Sequence, residues 1–189
     1  MILNGNTLGL LAVTTALAVL PAMADEHHKH ENHPNKQFTQ DTHEQHGTHE
    51  HGVAALSLAI GDAGLEIMLE SPAANLLGFE HTPDTDAEKQ KLAAVESKLR
   101  AAENLFTLNG EAGCELKDVS IDTAQSEAGH SDMDVAWAYA CSKPADLKTV
   151  EVKLFSTFPD GFHKIKAEWV TAQGASAQEL TQDGQITLP

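Results

Sequence analysis

Eight of the eleven histidines fall between His27 and His51, and neutral imidazole is the commonest metal-binding side chain. His27, His28, His30 and His33 form one cluster. His43, His46, His49 and His51 form a second, with Glu44 and Glu50 interleaved. Spacings of one to three residues let several imidazoles of one flexible segment converge on one ion. Imidazole suits zinc, copper and nickel, and carboxylates extend the set. Zinc accepts such improvised ligand sets because a four-coordinate N/O site demands little beyond a tetrahedron. Chelation costs a flexible segment entropy, so each site is weaker than a preformed one, but many overlapping ligand sets exist. The competing reading is a solvated tail whose histidines do nothing. Eight imidazoles within 25 residues argue against it. Residue types alone leave the metal open, because the affinity order for divalent ions puts copper above zinc.

A second group of candidate ligands lies further along the chain. His81 follows Phe79 and Glu80, His130 and Asp132 precede a strand-like run, and His163 opens another. His130 and Asp132 are two positions apart, so on a strand they point the same way, as do His49 and His51. A metal site made from His81, His130 and Asp132, closed by Glu80 or His51, is chemically sensible. The alternative is that each is a loop histidine with its own hydrogen bonds. Catalysis finds little support: there is no HExxH, no GxSxG and no Gly-rich phosphate loop. The expectation is a binding protein and not an enzyme.

These residues must be delivered and positioned by the rest of the chain. Among 189 residues, 12 Lys and Arg face 28 Asp and Glu, a formal charge of −16. A nucleic-acid binder needs a basic face, and an anionic membrane surface is disfavoured for the same reason. Residues 1–24 carry no charge, and the apolar run from Leu8 to Leu20 is 13 residues long. A helix spanning a bilayer core needs about 20, so the run reads as the centre of a secretory signal peptide. Pro21 breaks it, and Ala22-Met23-Ala24 supplies a small-x-small cleavage site before Asp25. The one departure is the absence of Lys or Arg in the first seven residues. The mature protein is expected to be exported, with no membrane insertion after cleavage.

Residues 25–51 hold one large apolar residue, Phe38, against eight His, six acids and two Lys. Such a segment cannot bury enough apolar surface to offset its ordering entropy, so it reads as a disordered metal-binding arm. Residues 52–189 read as one α+β domain, mainly antiparallel β, with about seven strands in a sandwich-like arrangement. Leu65, Ile67 and Leu69 alternate after Val53 to Ile60, with a turn at residues 61–64, which predicts a hairpin. One helix is predicted near residues 84–103, where Leu92, Val95, Leu99 and Ala102 recur at helical spacing behind an acidic first turn. Strands are expected over 115–122, 133–141, 149–155, 164–171, 177–180 and 185–188. Cys114 and Cys141 are the only cysteines. They lack a CxxC spacing, so a thiolate metal site is the weaker reading and a disulfide formed in an oxidising compartment the stronger. Such a link contributes roughly 3 kcal/mol by the loop-entropy model.

Several stretches taken together resemble a known family. They are HEHGVAALSLAI, LEIMLESPAANLLGFEHTP, LFTLNGEAGCELKDVSI, HSDMDVAWAYAC and LKTVEVKLFSTFPDGFHKIKAEWVTAQGA. They resemble the ZrgA-type family, periplasmic zinc-regulated proteins of Gram-negative bacteria, over His43 to Pro189. The resemblance implies a zinc-scavenging accessory made when zinc is scarce, working with the solute-binding protein of a high-affinity zinc ABC importer. It implies functional roles for the arm histidines, His81 in GFEH and His130 in HSDMD. Two other readings stay open. One is a copper- or nickel-binding buffer for metal resistance. The other is an interaction domain for the importer's binding protein, with metal incidental.

Overall fold

The computed structural model describes residues 50–125 and 130–189. The leader at 1–24 and the arm histidines His27, His28, His30, His33, His43, His46 and His49 lie outside the described residues.

Among the described residues, the fold has nine strands, one long helix and several short helical turns. β1 (Val53–Gly61) and β2 (Gly64–Pro72) form the expected hairpin, with Leu56 facing Leu69 and Leu58 facing Ile67. Period-two alternation turns these leucines and Ile67 inward, where they are fully buried. Pro72 closes β2 and leads into a five-residue helix, α1 (Ala73–Leu77). Gly78 ends α1 at φ 75°, a left-handed position that glycine takes at little cost, and its N–H returns to the Ala74 carbonyl. The long helix α2 (Asp86–Arg100) starts at a capping box. Thr85 Oγ1 accepts from the Glu88 N–H, and the Glu88 carboxylate accepts from the Thr85 N–H. α2 buries Val95 and Leu99, two of the four apolar positions that the sequence pattern marks.

The remaining strands are β3 (Phe106–Leu108), β4 (Cys114–Gln125), β5 (Ser131–Cys141), β6 (Thr149–Val152), β7 (Lys164–Thr171), β8 (Gly174–Leu180) and β9 (Gly184–Thr187). A six-stranded sheet runs β4-β5-β2-β1-β7-β8, and a three-stranded sheet runs β3-β6-β9. Among the described residues, all strand pairings are antiparallel but one: β1 and β7 run parallel. The strand expected to extend from 149 to 155 stops at Val152. Leu154–Thr157 turns into a short helix, α3, because the Asp183 carboxylate accepts from the Phe155 and Ser156 N–H groups and caps that turn.

The core lies on the inner face of the six-stranded sheet. Met133, Val135 and Trp137 of β5 are buried there beside Leu99 and Phe106. Cys114 and Cys141 face each other in the β4–β5 register and form a disulfide. No helix among the described residues is long and apolar enough to cross a membrane.

Candidate metal centre

Three chain segments, each held by backbone contacts, meet at one end of the six-stranded sheet. The first is the residue before β1. Val53 N–H bonds the Glu50 carbonyl, and the Gly52 carbonyl accepts from His163 and Lys164 at the start of β7. Gly52 sits at φ 80°, and a side chain there would strike the His163 ring. Asn75 of α1 completes the anchor. Its Oδ1 accepts from Gly52 N–H at 2.6 Å, and its Nδ2 donates to the Val53 carbonyl and to Ser71 Oγ. His51 is thereby fixed at the edge of the fold.

The second segment is the loop after α1, which carries Glu80. The third is the start of β5, where Ser131 Oγ donates to the Glu80 carbonyl and holds the loop against the strand. The Glu80 side chain is 14% exposed, whereas the His51 and His130 imidazoles are 66% and 57% exposed. His51 Nε2 donates to Glu80 Oε1 at 2.8 Å, and His130 Nδ1 meets Glu80 Oε2. The hydrogen bond from His130, aided by that from His51, holds the Glu80 carboxyl below its ordinary pKa against the opposing effect of burial. An open cleft of about 520 Å³ adjoins the pair and is lined by His51, Asn75, Gly78, Phe79, Glu80 and Asp160, among others.

The structure therefore brings His51, Glu80 and His130 together and places the other predicted ligands elsewhere. His81 stacks on Phe79 with ring centroids 5.0 Å apart, donates to the Thr82 carbonyl, and lies 3.5 Å from Glu88 at the start of α2. Asp132 lies within β5, opposite Pro72 of β2. Its charge, with those of Glu70 and Asp122, adds to burial in raising the Asp134 pKa. Among the described residues, no three His, Cys, Asp or Glu side chains are already set around a common metal position. Glu80 entered the sequence reading only as a closing ligand, and His51 both as the last histidine of the arm and as a closing ligand. Asn75, which positions His51, carried no signal, because an asparagine amid alanines and leucines looks like any helix residue.

The anchor is directly testable. Asn75 is nearly buried, and its removal strands a Gly52 donor and a Val53 acceptor. Asn75→Ala is expected to cost about 2 kcal/mol in urea unfolding. A loss below about 0.5 kcal/mol would show that solvent replaces the side chain.

Comparison with known proteins adds one match. A family model described as ZrgA family zinc uptake protein covers residues 48–188. No curated protein matches the chain.

Proposed function

Since the chain belongs to the ZrgA family of zinc uptake proteins, we propose that it is an exported zinc-binding accessory that scavenges Zn²⁺ in the periplasm of a Gram-negative bacterium and supports a high-affinity zinc ABC importer. The histidines at 27–51 are the collecting ligands in this reading. Zinc is cargo, and the protein is a binding module and not an enzyme.

One observation carries the proposal. The histidine-rich segment runs into the fold at His51, and that residue is pinned against a carboxylate and a second imidazole. A solvated tail has no need of such an attachment point. Two further features support it. A net charge of −16 concentrates cations near the surface, and the disulfide agrees with an oxidising compartment. The partner would be the importer's solute-binding protein, which accepts the collected ion.

The test is a zinc titration of the mature chain beside a variant with His27, His28, His30, His33, His43, His46 and His49 all changed to Asn. The variant is expected to lose most of the bound zinc equivalents. Equal stoichiometry in the two proteins would remove the segment as the ligand source. Co-purification with the solute-binding protein, with zinc and with chelator, checks the partner. Tighter binding of copper or nickel than of zinc in a competition titration, with no response to zinc starvation, would favour the metal-resistance reading instead.

A further inference from the structure

We propose that the outer face of the six-stranded sheet docks a basic amphipathic helix of a partner protein, in a groove that runs along β1; with the solute-binding protein as that partner, this rests on the reading above. Strand alternation turns Leu56 and Leu58 into the core and Ala55, Ser57 and Ala59 outward. This stretch of β1 thus offers only small side chains on that face. Its neighbours supply the walls: Glu66 and Met68 of β2 on one side, Glu168 and Val170 of β7 on the other. Met68 is 40% exposed and Val170 is 51% exposed. Both line an open cleft of about 540 Å³.

The groove has the form of a surface made to be covered. β1 and β7 run parallel, and parallel pairing belongs to sheets covered on both faces. The inner face carries the core, whereas the groove side chains on the outer face stay exposed or half-buried. β2 and β7 stand two inter-strand spacings apart, about 10 Å, which matches the width of an α-helix with its side chains, about 10 Å. The charged residues that line the cleft, Glu66 and Glu168, are both acidic. Glu168 accepts from Ser57 Oγ at 3.4 Å, and no Lys or Arg among the described residues pairs with either carboxylate. The acidic row continues at Glu70 opposite Asp134, whose pKa is raised by burial and then by the Glu70 charge. The lysines of β7 on this face lie beyond Glu168. Lys166 stands opposite Glu179 of β8, and Lys164 pairs with the same carboxylate.

That charge selects the occupant. A second copy of this chain would set the same carboxylates against each other, because a two-fold contact uses one patch twice. Residues 25–49 carry five carboxylates against two lysines, so the chain's own upstream segment is repelled as well. A helix with Lys or Arg flanking an apolar stripe satisfies both features of the groove. Its stripe covers Ala59, Met68 and Val170, and its cations reach Glu66 on one wall and Glu168 on the other. Such an encounter is steered by the acidic field and weakens with salt.

The experiment titrates the full mature chain with the importer's purified solute-binding protein by calorimetry, at low and at high salt. Glu66→Lys with Glu168→Lys is expected to weaken binding at least about 100-fold, and Ala59→Phe, which fills the groove floor, should do the same. Glu103→Lys with Asp146→Lys makes an equal change of net charge outside the groove and should alter affinity by less than about threefold. Circular dichroism and melting confirm that each variant is folded. Hydroxyl-radical oxidation of Met68 should slow in the complex. If the native chain binds and the groove variants bind equally well, or Met68 stays as reactive as before, the groove is refuted while the partner reading survives. If the native chain does not bind, both fall. Self-association of the native chain in sedimentation, lost in Ala59→Phe, would make the face a contact between copies and overturn the assignment.

Discussion

Trp137→Ala is expected to destabilise the domain by about 4 kcal/mol, lowering the thermal midpoint by roughly 10–15 °C. Trp137 is fully buried, and its ring meets Phe106 edge-on at 4.9 Å. That contact joins the six-stranded sheet to β3 of the smaller one. Its indole N–H donates to the Leu99 carbonyl at 2.7 Å, in the last turn of α2, where helix carbonyls lack an internal partner. Truncation therefore opens a large cavity and also leaves a buried acceptor unsatisfied. Trp137→Phe separates the two contributions. It keeps most of the volume and loses the donor, so about 1–2 kcal/mol is expected. Urea unfolding followed by circular dichroism is the measurement, with an unchanged m value showing that cooperativity is intact. A loss under about 2 kcal/mol for Trp137→Ala would mean that the neighbouring side chains collapse into the space. Zinc binding below the shifted midpoint should be unaffected, because Trp137 is buried in the core whereas the His51 and His130 imidazoles are exposed.

The same residue shows which parts of the structure were legible beforehand. Met133, Val135 and Trp137 alternate so cleanly that their common buried face follows from a period of two, and the β1–β2 hairpin follows in the same way. The α2 boundary at Thr85 is equally local, since the cap and its Glu88 partner are three residues apart. What escaped depends on distant groups. α3 exists because Asp183, almost thirty residues downstream, caps it. The parallel β1–β7 pairing joins strands more than a hundred residues apart, and no local pattern distinguishes it from an antiparallel one. Three-residue β3 and five-residue α1 are too short to show a period.

The candidate site divides along the same line. His130 stood out because of its residue type and its place before a strand, and it does occupy the cluster. Its partner is Glu80 and not the adjacent His81. Neighbouring residues in an extended loop project to different sides, so one reaches back to β5 while the other turns onto Phe79 and α2. His51 joins because Asn75 and the start of β7 fix the chain before β1. A ligand list read from composition names residue types that could hold a metal, but only the tertiary fold selects which of them meet.

Acidification from pH 7.5 to pH 5.0 is expected to weaken zinc binding by about 10⁴-fold at a site of three imidazoles from residues 27–49. An ordinary imidazole has a pKa of about 6.5, so at pH 5.0 only about one in thirty is neutral, and each ligand must shed its proton before it binds. Three such factors multiply to between 10⁴ and 10⁵. The domain should remain folded meanwhile. The pKa of Glu80 is depressed in the folded state, so its stabilising contribution is complete above the ordinary value of 4.5 and is lost only as pH falls through the lowered folded value. Asp134 acts in the opposite sense. Its folded pKa is raised, chiefly by burial and then by Glu70, so its contribution is greatest at low pH and is lost as pH rises through that raised value. Neither group therefore unfolds the protein between pH 7.5 and 5.0. Calorimetric zinc titrations at the two pH values, with circular dichroism recorded alongside, separate ligand protonation from unfolding. An affinity that changes by less than tenfold, with the fold intact, would mean that carboxylates and not imidazoles hold the ion, and the collecting role of the histidine run would have to be abandoned.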